Sequence, residues 1–83
     1  APPDGGVARI FIGLGRQASV RPQDVVGAIT GETRLSGRQV GAIEIADRFT
    51  LVEVPADAAD EVIAALRGAT IRGRTPYVRR DKR

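Results

Sequence analysis

Arg9-Ile10-Phe11-Ile12-Gly13-Leu14 and Phe49-Thr50-Leu51-Val52-Glu53-Val54 are the stretches on which the fold turns. Successive side chains of a strand project to opposite faces, so Ile10, Ile12 and Leu14 turn inward together and Phe11 turns outward with Arg9 and Gly13. In the second stretch Glu53 is costly to bury unpaired, and it shares its parity with Phe49 and Leu51. Phe49 is therefore predicted on the wet face. The same alternation in Tyr77-Val78-Arg79 buries Val78 and leaves Tyr77 beside Arg79. These three rings are all the aromatic residues of the chain, and each is predicted to face away from the core. The competing reading for any one ring is packing beneath a loop or a terminal tail.

Working outward, residues 8–14 read as the first strand, followed by the polar loop 16–21. Pro22 suits the first turn of a helix over 22–32, where its missing N–H has no partner to lose. Val25, Val26 and Ile29 form that helix's apolar stripe. Gly27 and Gly31 weaken it and read as points of close approach to another element. Leu35-Ser36-Gly37-Arg38-Gln39 is a connection with room for one helical turn, anchored by Leu35. Residues 42–46 alternate cleanly, burying Ile43 and Ile45, and the turn Asp47-Arg48 joins them as a hairpin to the strand 49–54, which Pro55 ends. A second helix opens at Ala56-Asp57 with Asp57, Asp60 and Glu61 favouring its dipole, and Ala59, Val62, Ile63 and Leu66 form its buried stripe. Gly68 is expected to supply a left-handed stop. Residues 70–80 give a short strand start, a turn at Gly73 and a last strand, with Pro76 at a sheet edge because it cannot donate to a ladder.

The order is βαββαβ. It predicts an α+β, ferredoxin-like sandwich with a four-stranded antiparallel sheet in the order 4-1-3-2 and both helices on one face. The uncovered face would carry Arg9, Phe11 and Gly13, then Ala42 and Glu44, Phe49, Leu51 and Glu53, and Tyr77 and Arg79.

A chain of 83 residues is one domain, read here as a linker over 1–7, the folded domain over 8–80 and a basic tail over 81–83. The start at Ala1-Pro2-Pro3-Asp4-Gly5-Gly6 predicts a piece of a longer protein, terminal processing being the alternative. The absence of cysteine excludes disulfides and thiolate metal sites and fits a reducing cytoplasm. No apolar run near 18 residues and no signal-peptide pattern is present, so a soluble, unexported chain with no membrane partner is expected. The lack of Asn, Met and Cys and the use of Arg for twelve of thirteen basic residues fit a thermophilic source or a GC-rich genome.

Charge is strongly asymmetric. Residues 1–66 hold six Arg against nine acidic residues, a net of −3, whereas residues 67–83 hold six Arg and one Lys against one Asp, a net of +6. Such a cationic end is the footprint expected for a polyanion, since each Arg that neutralises a phosphate releases a condensed counterion. A solvated tail that aids solubility is the plainer alternative.

Two features point elsewhere and fail. Gly13-Leu14-Gly15-Arg16-Gln17-Ala18 matches a dinucleotide fingerprint, but Pro22 starts the helix well past the glycines, so its N-terminus cannot meet a pyrophosphate there, and the glycines read as a flexible exit from the first strand. The chain has no histidine, so no Ser-His pair or imidazole base is available, and Ser19 and Ser36 read as turn or cap residues. Nothing in the sequence argues for catalysis, a cofactor or a metal.

The outward rings are the more specific signal, because every base has a π-face that stacks on an exposed ring. Ile10-Phe11-Ile12-Gly13-Leu14 resembles the first-strand motif of the RNA recognition motif (RRM) fold. Asp47-Arg48-Phe49-Thr50-Leu51-Val52-Glu53-Val54 resembles a degraded form of its third-strand octamer, with Leu51 where an aromatic is common. The fuller string resembles one branch more closely: Ile12-Gly13-Leu14-Gly15-Arg16, Arg21-Pro22, Val26-Gly27-Ala28-Ile29, Ser36-Gly37-Arg38, Gly41-Ala42-Ile43-Glu44-Ile45, Val52-Glu53-Val54-Pro55 and Ile71-Arg72-Gly73-Arg74. That branch is the C-terminal RNA-binding domain of DbpA-like bacterial DEAD-box RNA helicases, including heat-resistant members, and the likeness runs over nearly residues 8–80.

The resemblance implies an RRM-like, non-catalytic domain that tethers an ATP-driven helicase core, absent here, to structured RNA, with ribosomal RNA the family's best-known target. The expected contacts are Phe11, Phe49 and Tyr77 for bases, with Leu51 alongside them. Arg9, Arg48, Arg79, Arg80, Lys82 and Arg83 are the expected phosphate contacts. Glu44 or Glu53 is a candidate acceptor for a base edge, a solvent salt bridge being the plainer role. Relatives also grip RNA through the first loop and helix, which makes Arg16, Arg21, Arg34 and Arg38 a second candidate surface. The rival is a protein-interaction module that uses the same open face. A small-molecule regulatory domain of this topology is a third reading, without a pocket signature.

Overall fold

The computed structural model describes residues 6–81. Lys82, Arg83 and most of the expected linker therefore lie outside the described residues. Six elements follow in order: β1 (Val7–Ile12), α1 (Pro22–Glu32), β2 (Ile43–Ile45), β3 (Thr50–Pro55), α2 (Ala59–Arg67) and β4 (Val78–Arg80). The sheet is antiparallel throughout, in the order β2-β3-β1-β4, the arrangement the alternation and crossovers predict.

The core lies between the sheet and the two helices. Ile10 and Ile12 of β1, Val52 and Val54 of β3 and Val78 of β4 are fully buried against Val25 and Ile29 of α1 and Val62 and Leu66 of α2. Both helices thus cover one face, and burying an aliphatic side chain of this size contributes about 1.5–3 kcal/mol. Ile43 and Ile45 are only partly buried because β2 is an edge strand. Val20 and Ile71, which no periodic stretch singles out, complete the core from loops.

Several element ends differ from expectation. β1 stops at Ile12, and Leu14 is partly buried beyond it, its carbonyl accepting from the buried Thr50 hydroxyl at 2.8 Å. Pro55 is the last residue of β3, opposite Val7, because that pairing asks it for no N–H at an end. Residues Ala56–Ala58 form a 3₁₀ turn before α2 begins at Ala59, leaving Asp60 and Glu61 in its first turn. Gly68 ends α2 at φ −94° and ψ −1°, so the stop is right-handed. The left-handed backbone sits instead at Arg72 and Gly73, with φ of 54° and 79°, in a two-residue turn closed by reciprocal Ile71–Arg74 hydrogen bonds of 2.8 and 3.0 Å.

The glycines reverse their expected roles. Gly27 and Gly31 of α1 face open space, with no atom within 4 Å of a built Cβ, so they mark no close approach. Gly15, read as a flexible exit from β1, is instead buried and pressed onto the turn between β2 and β3. A Cβ there would collide with the Ala46 carbonyl and lie 2.6 Å from Phe49 N and 2.9 Å from Arg48 N.

Thermal melts separate these cases. Gly27→Ala is expected to stabilise the domain by about 0.5–1 kcal/mol and raise Tm by roughly 2–8 °C, since the helix gains propensity and nothing clashes. Gly15→Ala is expected to cost about 1–3 kcal/mol, as forced overpacking does.

Candidate nucleic-acid interface

Strand register arranges the uncovered face into three rungs across the sheet. The middle rung is Glu44, Leu51, Phe11 and Arg79, from β2, β3, β1 and β4. Continuing the β1–β3 register past Ile12 and Thr50 brings Gly13 opposite Phe49, and the Gly13 N–H donates to the Tyr77 carbonyl at 2.6 Å. The second rung therefore runs Phe49, Gly13, Tyr77, with a position lacking a side chain between two rings. On the other side of the middle rung, Arg9 faces Glu53, and the Asp81 N–H donates to the Arg9 carbonyl at 2.8 Å.

Phe11 is the hub of the rings. It stacks on Phe49 with centroids 5.4 Å apart and planes 19° apart, and meets Tyr77 edge-on at 6.3 Å and 69°. The Arg79 guanidinium carbon stands 4.4 Å from the Phe11 centroid, a cation–π distance. Phe49 approaches from the β3 flank and Arg79 from the β4 flank, so Phe11 is engaged from both sides and half-buried. Its neighbours keep more free surface, Phe49 at 36% and Tyr77 at 64% exposure. Gly13 makes the seating of Tyr77 possible: a Cβ there would stand 3.1 Å from Tyr77 Cβ.

The arginines separate by surroundings. Arg9 pairs with Asp81 at 3.8 Å and lies opposite Glu53, so its charge is compensated on the sheet. Arg80 shares the parity of buried Val78 and pairs at 3.4 Å with Asp60 of α2, away from the open face. Alternation is the reason: with Arg79 outward, the next residue must lie on the helix side. Arg16 donates to the Ile45 carbonyl at 2.9 Å and pairs with Asp47 at 3.8 Å, which fixes it against the β2–β3 turn. Arg48 is exposed at that turn, and Arg38 is exposed on the short turn after α1. Arg21 precedes α1 and Arg34 follows it, both exposed and outside the rungs.

The glycine-rich loop contributes no phosphate cradle. The Arg16 and Gln17 amides donate to the Ala46 and Asp47 carbonyls at 2.8 and 2.9 Å, so the N–H groups a pyrophosphate would need are bound to the hairpin. That loop, the β2–β3 turn and the Ile71–Arg74 turn together enclose a shallow cleft of about 300 Å³ that includes Gly13, Arg48 and Arg74. Arg74, which lines this cleft, is not among the residues the sequence pattern singles out as contacts. It sits in the quoted string Ile71-Arg72-Gly73-Arg74, but nothing local says onto which end of the sheet that turn folds. No cluster of acidic or other metal-ligating side chains occurs among the described residues, and no described helix is long and apolar enough to cross a membrane.

A split βαββαβ sheet with two helices on one face and rings on the other defines an RRM-like domain. A sequence profile described as the DbpA RNA binding domain matches residues 9–80, and the chain belongs to that family. It is 36% identical over 73 residues to the ATP-dependent RNA helicase DbpA of Escherichia coli (strain K12), covering 88% of this chain and 16% of that protein. It is also 30% identical over 79 residues to an uncharacterised protein of Treponema pallidum (strain Nichols), covering 95% of this chain and 35% of that one. The chain thus spans about a third or less of the relatives it matches.

The Arg79–Phe11 contact has a measurable consequence. In urea denaturation, a double-mutant cycle of Arg79→Ala and Phe11→Leu is expected to give a coupling of about 0.5–1 kcal/mol. Additive single effects would mean that the guanidinium and ring do not interact in solution.

Proposed function

We propose that this domain holds unpaired RNA bases on Phe49 and Tyr77, with Phe11 as their support and Arg79 and Arg48 contacting phosphates. The single observation that carries the reading is the rung Phe49-Gly13-Tyr77. Two partly exposed rings flank a position without a side chain, on the sheet face the helices leave free, next to arginines. Stacking on such rings contributes about 1–3 kcal/mol per base. The family membership supports RNA as the ligand class. Leu51 adds apolar contact beside Phe11, and Glu44 at the edge of the same rung is an acceptor for a base amine.

In this reading the domain itself does no chemistry. It anchors a DEAD-box helicase core carried elsewhere in a longer chain to structured RNA in the cytoplasm, with ribosomal RNA as the target and ribosome biogenesis as the setting. The name of the Escherichia coli relative supports the helicase context. Lys82 and Arg83 extend the cationic end in this proposal, whereas Arg9 and Arg80 act in ion pairs within the domain.

Fluorescence anisotropy with a labelled single-stranded oligoribonucleotide tests the proposal. Phe49→Ala and Tyr77→Ala are each expected to weaken binding by about 1–3 kcal/mol with melting curves still cooperative. Binding must also fall steeply as salt rises. Full retention of affinity in both variants would move the site to the surface of Arg16, Arg21, Arg34 and Arg38.

A further inference from the structure

The cleft beside Tyr77 has a charge pattern that stacking alone does not use. Arg48 reaches it from the β2–β3 turn and Arg74 from the turn after α2, elements brought together only by the fold. No ion pair is formed by either arginine among the described residues. The cleft's carboxylate, Asp47, is taken by Arg16 at 3.8 Å. The loop's backbone amides at Arg16 and Gln17 are taken by the hairpin carbonyls. The side chains of the lining that carry polar groups and hold no such tie are the Arg48 and Arg74 guanidinium groups and the Gln17 amide, beside the backbone of Gly13 and Gly15.

Two like charges held around one hollow, neither of them paired with its one carboxylate, favour an anion between them, and guanidinium forks match phosphate oxygens in geometry. Gly13 lines the cleft and its N–H donates to the Tyr77 carbonyl at 2.6 Å, so the cleft adjoins the residue that carries the ring. We infer that the cleft is a phosphodiester subsite, in which Arg48 and Arg74 clamp the backbone of the RNA strand whose base stacks on Tyr77. This rests on the stacking reading above for the identity of the ligand. It adds Arg74, from a separate element, as a binding residue.

The neighbouring Arg72 supplies the control. It belongs to the same two-residue turn, but its guanidinium pairs at 4.0 Å with Asp24 of α1, away from the cleft. The experiment is a salt titration of the 83-residue chain with a fluorescein-labelled, ten-nucleotide single-stranded oligoribonucleotide, after circular dichroism confirms that each variant is folded. Arg48→Ala and Arg74→Ala are each expected to make the slope of log K against log salt shallower by about 0.7, and the double variant by about 1.4. Arg74→Lys should keep the wild-type slope because the charge is retained, and Arg72→Ala should keep it as well.

An unchanged slope in Arg74→Ala overturns the assignment. So does a loss in Arg72→Ala equal to that in Arg74→Ala, which would make the effect one of net charge. Weaker binding in Tyr77→Ala with unchanged slopes in the arginine variants removes the cleft and leaves the stacking. The converse, shallower slopes with Tyr77→Ala binding like wild type, leaves the clamp standing and removes the stacking.

Discussion

The close approach of Gly15 to the turn between β2 and β3 is the contact on which the arrangement of the open face depends. With no side chain at Gly15, the backbone leaving β1 lies against Ala46, Arg48 and Phe49. Two amide hydrogen bonds and the Arg16 side chain then tie the loop to the hairpin. This lattice locks the end of the central strand to the start of β3, and so holds Phe49 in stacking distance of Phe11. The same hydrogen bonds use up the donors that make a glycine-rich loop attractive to phosphate. A motif that looks like a nucleotide cradle in one dimension is a structural rivet in three.

Much of the fold was legible because it rests on alternation. Ile10, Ile12, Val52, Val54 and Val78 bury as a period of two demands, and their outward neighbours appear where parity puts them. Val25, Ile29, Val62 and Leu66 likewise follow the helical period. The roles of glycines were not legible, since the absence of a side chain has the same spelling whether it fills a tight contact, as at Gly15, or faces solvent, as at Gly27. Val20 and Ile71 escaped because a single apolar residue in a loop carries no period.

The candidate site was legible by face but not by partnership. Parity places Phe11, Phe49 and Tyr77 together, yet it cannot say that Phe11 would be covered by its neighbours while Tyr77 stays open. The arginines divide in the same way. Arg9, Arg79 and Arg80 are close in space and equal in charge, but one meets a carboxylate on the sheet, one a ring and one a carboxylate on α2. Those outcomes depend on cross-strand neighbours and on helix placement, which are non-local. Arg74 belongs to the cleft only because the turn that carries it folds back beside the exit of β1.

The rung of Glu53, Arg9 and Asp81 gives the sheet two unlike poles. Gly6 accepts from the Ala56 amide and Asp81 donates to Arg9, so the described chain both enters and leaves at the acidic pole. The rings and the uncompensated arginines gather at the other. The two ends of the described chain are therefore set apart from the rings along the length of the strands, like a handle opposite a blade.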